Sequence, residues 1–540
     1  MRGPKTKAKA PKKPSGTPCK VDADGTIRTE DGATVIGFRD ADGNAFVTPG
    51  GKAPADSRLG RLETPDGTVN VVVRLEEVTL EEIDGVTRFT RKKKGRTLGA
   101  LWAAPKLDGV VMRGGNPVAP ADMPAAVKDK VKLGTRISLE GSRSTIWRLI
   151  EFPSKDRKTF TPTWVQSNHD RKEFETRKGE IRKEIANLPS DLATGVEADL
   201  DIMSMVSIIE GPWRSKSPSW DKMASLGVFQ WGATKATTAK RNSSLGEFYV
   251  NLQARADASA KKAEKDRTDT DRFYIDSWKQ ATDAGLTISG GKLRIGGKDA
   301  TGGEVETALA TPMGTGKLRA YQLKAAKDWL DDLRAKTARP MTYGATFLHP
   351  GFKQSGPTIK SGGRTIKLSA PSTATTVGQV CTSKKAMALM ANLLVNRPAW
   401  VNTVVWRALA PKDAETKAAE LVDKLVAAQD ATEDAAAKAA ADAAAAEAAA
   451  APPGKKPTKA KAKAKAKAKA KPEITAANAA DPAAYKALQE LVWPAKTASL
   501  AQTDLVERLY TISLEMYRIE NTTPNTETRA KRMVTTEVID

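Results

Sequence analysis

Six Asp-Gly dipeptides occur between residues 24 and 109, and they constrain the fold of the N-terminal region more than any other feature. Asp-Gly favours a tight turn between antiparallel strands, because both central residues of a type I′ turn need a positive φ. Short β-branched runs, such as residues 69–73 and 110–112, lie between these dipeptides. The pattern predicts a small antiparallel β domain, either a barrel or a sandwich, over residues 19–165.

Helical patterns follow this region. Residues 170–187 place Phe174, Ile181 and Ile185 on one face of a predicted helix, and residues 505–519 repeat apolar side chains at helical spacing. We therefore predict an α+β multidomain protein. Its predicted parts are a disordered basic tail at 1–18, a β-rich domain at 19–165, an α-helical domain at 166–411, an Ala/Lys-rich linker or insertion at 412–472, and a C-terminal helical segment at 473–540 that could pack on the helical domain.

The basic charge of the chain is concentrated in two segments. The chain has 87 Lys and Arg residues against 64 Asp and Glu residues, which gives a formal net charge of +23. Residues 1–20 and 455–471 contain no acidic residue and carry sixteen of these net charges. The repeat Lys455–Lys471 predicts either a solvated linker or a non-specific contact with an anionic polymer.

Cysteine and histidine are too scarce for several classes of site. Cys19 and Cys381 exclude a disulfide framework and a cysteine-rich metal site, while His169 and His349 disfavour a multi-histidine zinc site. The run 313–318 lacks the first glycine and the Ser/Thr of a phosphate loop. We therefore expect no metal and no cofactor. The sequence predicts no membrane span and no secretory signal, hence synthesis in the cytoplasm.

Glu210 has the surroundings that a general acid needs. It ends the apolar run 202–209, and Gly211-Pro212 stops the predicted helix. The negative end of the helix dipole and the apolar neighbours both disfavour a charged carboxylate. Glycosidic cleavage requires a protonated carboxyl as its acid. The alternative is an ordinary glutamate at a helix end.

Two segments downstream of Glu210 resemble a known superfamily. Gly227-Val228-Phe229-Gln230-Trp231 begins 17 residues after Glu210, and residues 386–400 combine an apolar helix with Val395-Asn396-Arg397-Pro398-Ala399. Both resemble the lysozyme-like superfamily of glycosidases and lytic transglycosylases, in particular a branch found in phages and contractile injection particles. In that branch a carboxylate follows the glutamate by about eleven residues, as Asp221 does here. The branch also has an Asp in the second segment, which in this chain is replaced by Asn392 or is absent.

The resemblance implies a lysozyme-like, mainly α domain that cleaves peptidoglycan glycan strands as a muramidase or a lytic transglycosylase. Glu210 would be its general acid. Asp221 would activate water or stabilise the transition state, unless it is a helix cap or a surface acid. The implied sugar contacts, for which core packing is the alternative at the tryptophans, are Trp220, Phe229, Gln230 and Trp231.

Two other functions stay open at this point. One is a non-enzymatic structural or adaptor component of a phage tail or injection particle, with particle proteins or the cell wall as partners. The other is a non-specific nucleic-acid binder that acts through the Lys-rich segments. The first two hypotheses imply that the protein is associated with a virion or injection particle and acts at the cell wall.

Overall fold

A computed structural model describes the chain between residues 15 and 539, with gaps. The gaps are 104–105, 124, 141–144, 154–158, 168–170, 211–216, 219–223, 230, 234–243, 290–291, 300–307, 309–312, 315, 339–351, 354–355, 371–373, 398–399, 412, 450–470, 495–500 and 520–522. The described residues form two compact units. The β unit contains the residues up to Glu173 together with Thr523–Val538, and the helical unit contains Phe174–Thr522.

The fold is α+β, as the sequence predicts, because an antiparallel β region precedes a mainly helical one. The β unit contains a sheet of thirteen strands. They are β1 Thr17–Val21, β2 Thr26–Thr29, β3 Val35–Arg39, β4 Ala45–Val47, β5 Arg58–Glu63, β6 Val69–Ile83, β7 Val86–Arg91, β8 Thr97–Ala103, β9 Lys106–Arg113, β10 Asn116–Pro117, β11 Arg136–Leu139, β12 Ile146–Pro153 and β13 Phe160–Gln166.

The 15-residue strand β6 belongs to two parts of this sheet. Its second half pairs with β7 and β4, and the order β4, β3, β2, β1 returns to β7, which closes an antiparallel ring of six strands. Closure leaves no unpaired edge in the ring, and Ile27, Ile36 and Phe89 belong to its apolar core. The first half of β6 lies between β5 and β8 in the remaining, open part of the sheet.

Five of the six Asp-Gly dipeptides lie in turns between consecutive strands, and the sixth lies inside β9. The predicted type I′ geometry is wrong for most of them, because only Asp84-Gly85 has a positive φ at both residues, 52° and 74°. At Asp24, Asp31 and Asp66 the carboxylate instead accepts a hydrogen bond from the backbone N–H two residues later, at 2.9–3.0 Å. Aspartate therefore stabilises these turns mainly through its side chain.

Fourteen α-helices lie in the described parts of the chain. They are α1 Ala125–Lys128, α2 Arg171–Ile185, α3 Ser190–Ala198, α4 Leu200–Glu210, α5 Ser244–Ala260, α6 Asp269–Asp283, α7 Gly316–Ala335, α8 Val377–Val380, α9 Lys384–Asn396, α10 Val401–Leu409, α11 Ala414–Ala449, α12 Pro482–Val492, α13 Gln502–Ile519 and α14 Thr523–Val534. None of these helices combines the length and the apolar character that crossing a bilayer requires.

Three small antiparallel sheets of three strands each accompany the helices of the helical unit. They are β14 Ser217–Pro218, β15 Ala224–Leu226 and β16 Trp231–Ala233; β17 Leu286–Ser289, β18 Lys292–Ile295 and β19 Lys298–Asp299; and β20 Phe352–Lys353, β21 Gly356–Ser361 and β22 Arg364–Lys367.

The helices of the helical unit form two packed groups that matter for the candidate site. In one group α9 contacts both α4 and α13, and α13 also contacts α10. In the other group α6 lies between α5 and α7. Helix α6 begins with a capping box, in which Thr268 and Asp271 each satisfy a backbone N–H of the other.

The C-terminal and Ala-rich segments are divided differently from the sequence-based scheme. Helix α14 and the turn after it contact β13 and β12 inside the β unit, whereas α12 and α13 belong to the helical unit. The first half of α11 packs on α12 and β21. Arg364 of β22, which is 1% exposed, holds α11 through Asp430 at 2.6 Å and Glu433 at 2.6 Å.

Candidate active site

Helix α4 carries Glu210 to the surface of the helical unit. Every residue of Ile202–Ile209 is buried, so this helix is enclosed by its neighbours over more than two turns. Glu210, the last residue of α4, is partly exposed. The helix therefore presents one carboxyl group at the boundary between an apolar interior and solvent.

The neighbouring helix α9 contacts this carboxyl group directly. The amide Nδ2 of Asn392 donates a hydrogen bond to Oε1 of Glu210 at 2.9 Å. Asn392 is 3% exposed and lies on the buried side of α9, which packs along α4. The two residues are 182 positions apart in the chain, so only the packing of α4 against α9 brings them together. A buried amide in this position fixes the orientation of the carboxyl group.

The predicted sugar-binding element begins with a turn that requires glycine. Gly227 has a φ of +89°, and a Cβ built there would lie 2.6 Å from the Trp231 ring and 2.7 Å from Oε1 of Gln322. That same Gln322 oxygen accepts the backbone N–H of Val228 at 2.9 Å, and the Gln322 amide donates to the carbonyl of Met313. Gln322 of α7 is fully buried and therefore anchors this turn inside the unit.

Phe229 and Trp231 are core residues in the structure, each 1% exposed. The ring of Trp231 lies 4.9 Å from that of Phe248 and 6.3 Å from that of Trp329, and the ring of Phe229 lies 6.2 Å from Trp329. Phe248 extends the cluster to Tyr249 and Tyr321, and burial raises the pKa of both phenols above their usual range. The contacts of Trp231 correspond to its core-packing alternative, whereas the burial of Phe229 differs from the sugar contact expected of that residue.

The segment that follows Asn392 turns the chain from α9 into α10. Helix α9 ends at Asn396, and the backbone N–H of Trp400 donates to the carbonyl of Arg397 at 2.9 Å. The Arg397 guanidinium lies 5.6 Å from the centre of the buried Trp400 ring, which contacts Tyr517 of α13. This corner joins three helices and thereby holds α9, with Asn392, in place.

Several residues singled out in the sequence lie outside the described residues. Trp220, Asp221 and Gln230 are among them, as is the basic run apart from its last member, Lys471. Lys471 forms an ion pair with Asp430 at 2.8 Å. The described site therefore consists of Glu210 and Asn392, with the Gly227–Phe229 turn and Gln322 as a separate buried element.

A cleft of about 840 Å³ in the helical unit was not predicted from the sequence. Both acidic and basic side chains line this cleft. Glu184 forms an ion pair with Arg319 at 3.1 Å and accepts a hydrogen bond from Asn187 at 3.1 Å. The ammonium of Lys317 lies 5.8 Å from the centre of the Phe273 ring. Gly314, Gly316 and Lys317, from the run that fails as a phosphate loop, form part of its wall. The glycines of this run are the sequence feature that could have indicated the cleft.

The chain matches no protein-family model, no curated protein and no solved structure. Within the described residues, no group of three His, Cys, Asp or Glu side chains is arranged to hold a metal ion.

Proposed function

We propose that the helical unit is a lysozyme-like domain that cleaves the β-1,4 glycan of peptidoglycan, with Glu210 as general acid. The observation that carries the proposal is the 2.9 Å hydrogen bond from Asn392 to Glu210. It joins the proposed general acid to the segment 386–400, one of the two that resemble the superfamily, although the two residues are 182 positions apart in the chain. A chance resemblance in segment 386–400 would give no reason for it to contact Glu210.

The proposed chemistry uses the carboxyl group of Glu210 twice. Its proton passes to the glycosidic oxygen as the bond from that oxygen to C1 of the sugar breaks. The carboxylate then accepts a proton from the group that adds to C1, which is water in hydrolysis and a hydroxyl of the same sugar in transglycosylation. Asn392 is a positioning residue in this scheme, because it contacts Glu210 and orients its carboxyl group.

The test compares the wild-type protein with Glu210→Gln on purified peptidoglycan, with soluble fragments and the chemistry of their ends as the readout. Loss of a general acid typically costs 10²–10⁴-fold in rate, so we expect a loss of that order. Glu247→Gln is the matched control, since Glu247 is an exposed glutamate of α5 in the same unit. Wild-type protein that is inactive on several wall types, or a fully active Glu210→Gln variant, contradicts the proposal.

A second candidate function is supported by the burial of Phe229 and Trp231. Aromatic side chains that are 1% exposed offer no face for a sugar ring, so they favour a non-enzymatic assembly module of a phage or injection particle over a glycan-binding cleft. This candidate predicts copurification with particles and normal particle function when Glu210 is replaced by Gln. Loss of particle function in that variant would favour the enzyme instead.

A further inference from the structure

A short loop of the β unit concentrates positive charge. The basic loop, Arg91–Arg96, connects β7 to β8, which both pair with β6, and has the sequence Arg-Lys-Lys-Lys-Gly-Arg. Its five cationic residues are all exposed. It lies apart in the sequence from both low-complexity basic segments, and nothing in the proposed glycan cleavage uses it.

Two nearly buried glutamates of β6 hold the base of this loop. Glu76 pairs with Arg91 at 3.0 Å, and Glu77 pairs with Lys92 at 2.6 Å and with Arg96 at 3.0 Å. Glu77 also accepts the backbone N–H of Arg96 at 3.0 Å. The hydrogen bond from Lys92, together with those from Arg96, lowers the pKa of Glu77 to about 2. The ionised carboxylate of Glu77 therefore holds the loop at neutral pH.

The two lysines at the tip of the loop have no such partner. Lys93 and Lys94 form no ion pair with any residue that the structure describes. Other carboxylates lie toward Arg96, where Glu77 and, more weakly, Asp40 and Asp42 raise the pKa of the guanidinium. The ammonium groups that remain available for a ligand are thus those of Lys93 and Lys94, and a fixed base reduces the entropy lost when they bind.

The composition of the loop limits the partner that it fits. It contains only Arg, Lys and Gly, so it has no apolar or aromatic side chain to insert into a membrane interface or to stack on a base. It also has no amide or hydroxyl side chain to read a base edge. Exposed ammonium groups on a loop whose base is held by ion pairs suit phosphate groups, which carry no sequence information. We propose that the basic loop binds the phosphate backbone of double-stranded DNA without sequence selectivity.

The test measures binding of the full chain to a DNA duplex over a range of salt concentrations. Each phosphate contact contributes about 0.9 to the slope of log K against log salt, so Lys93→Ala/Lys94→Ala lowers the magnitude of the slope by about 1.8. Lys52→Ala/Lys106→Ala removes the same charge from two exposed lysines of the same unit and leaves the slope unchanged. Lys93→Arg/Lys94→Arg keeps the charge and also leaves the slope unchanged.

Three results overturn this proposal. The first is an equal change of slope in the two alanine variants, which would reflect net charge alone. The second is an unchanged slope in Lys93→Ala/Lys94→Ala, which would assign DNA binding to another segment such as Lys455–Lys471. The third is binding of the wild type to anionic lipid vesicles but not to DNA. Since all the variants retain the Lys-Ala repeat, its contribution to the slope is constant.

Discussion

Two regions of the helical unit, Glu210 at the end of α4 and the described residues Gly227–Phe229 and Trp231, lie in opposite surroundings. Glu210 is partly exposed and contacts a polar side chain of a neighbouring helix. Phe229 and Trp231 are buried in an aromatic cluster, and their turn is held by the fully buried Gln322. One region has the exposure that a reacting group needs, whereas the other has the contacts of a folding core.

A family-like motif can therefore contain residues with separate roles. A glycine, an apolar pair and a tryptophan at close spacing are equally suited to lining a cleft and to closing a turn in a core. Substitutions in the two regions should therefore separate stability from activity. Those in the turn should unfold the helical unit, whereas those at Glu210 and Asn392 should change activity alone.

The largest expected effect is on stability, for Trp231→Ala. Removing a buried tryptophan costs about 3–5 kcal/mol in the free energy of unfolding, because the surrounding rings cannot fill the space. Urea denaturation followed by circular dichroism measures this loss. Trp278→Ala, at a partly exposed tryptophan of α6, should cost no more than about half as much. A Trp231→Ala variant that stays stable but no longer binds the cell wall would contradict the core role of Trp231 and favour a sugar contact.

Gly227→Ala should lower the free energy of unfolding by about 2–5 kcal/mol. One part of this cost arises because a residue with a side chain is strained at a positive φ, and the other because the new methyl group is forced against the Trp231 ring and Gln322. The control is Gly297→Ala, because Gly297 also has a positive φ, +80°, but a Cβ there meets nothing within 4 Å. The control should show only the backbone cost, about 1–2 kcal/mol. Comparable melting temperatures for the two variants would show that the close approach at Gly227 has no energetic weight.

Gln322→Leu keeps the volume of the side chain and removes its polar atoms. The N–H of Val228 and the carbonyl of Met313 then lose their partners in a buried site, which should cost about 2–4 kcal/mol. Gln489→Leu removes a single hydrogen bond at the surface of α12 and should cost less than about 1 kcal/mol. Equal unfolding free energies for the two variants would contradict the anchoring role of Gln322.

The smallest expected effect concerns Asn392→Leu, and it should appear in activity. If Asn392 only orients Glu210, the rate of glycan cleavage should fall about 10–30-fold, which is about 1.4–2 kcal/mol, with little change in KM. Asn392→Gln, which retains the amide donor, should recover part of the rate. A loss of stability in Asn392→Leu without any loss of rate per folded molecule would make Asn392 a packing residue.

Much of the secondary structure could be predicted from local patterns. The Asp-Gly turns mark five strand connections, and the apolar spacing at Phe174, Ile181 and Ile185 identifies the buried face of α2. The helix that ends at Glu210 was also predictable, since an apolar run meets a Gly-Pro stop. These features depend on residues close in sequence, and periodicity along the chain reports on them directly.

Turn geometry and the partner that buries each helix could not be predicted from such local patterns. The aspartates of most Asp-Gly turns accept backbone hydrogen bonds rather than adopt a positive φ, and composition alone does not distinguish these two uses. The C-terminal segment 473–540 also reads as one helical stretch, yet α14 packs in the β unit. An amphipathic pattern states that one face is buried without stating which partner buries it.

Local sequence patterns account for the β-to-α order of the chain, for the end of α4 at Glu210 and for the concentration of basic charge in short segments. Three contacts instead depend on tertiary packing: Asn392 with Glu210, Gln322 with the Gly227 turn, and Glu77 with the basic loop. The hydrogen bond from Asn392 to Glu210 spans 182 positions, and the one from the backbone N–H of Val228 to Gln322 spans 94. Because such bonds arise only when distant elements pack together, they leave no periodic trace in the sequence.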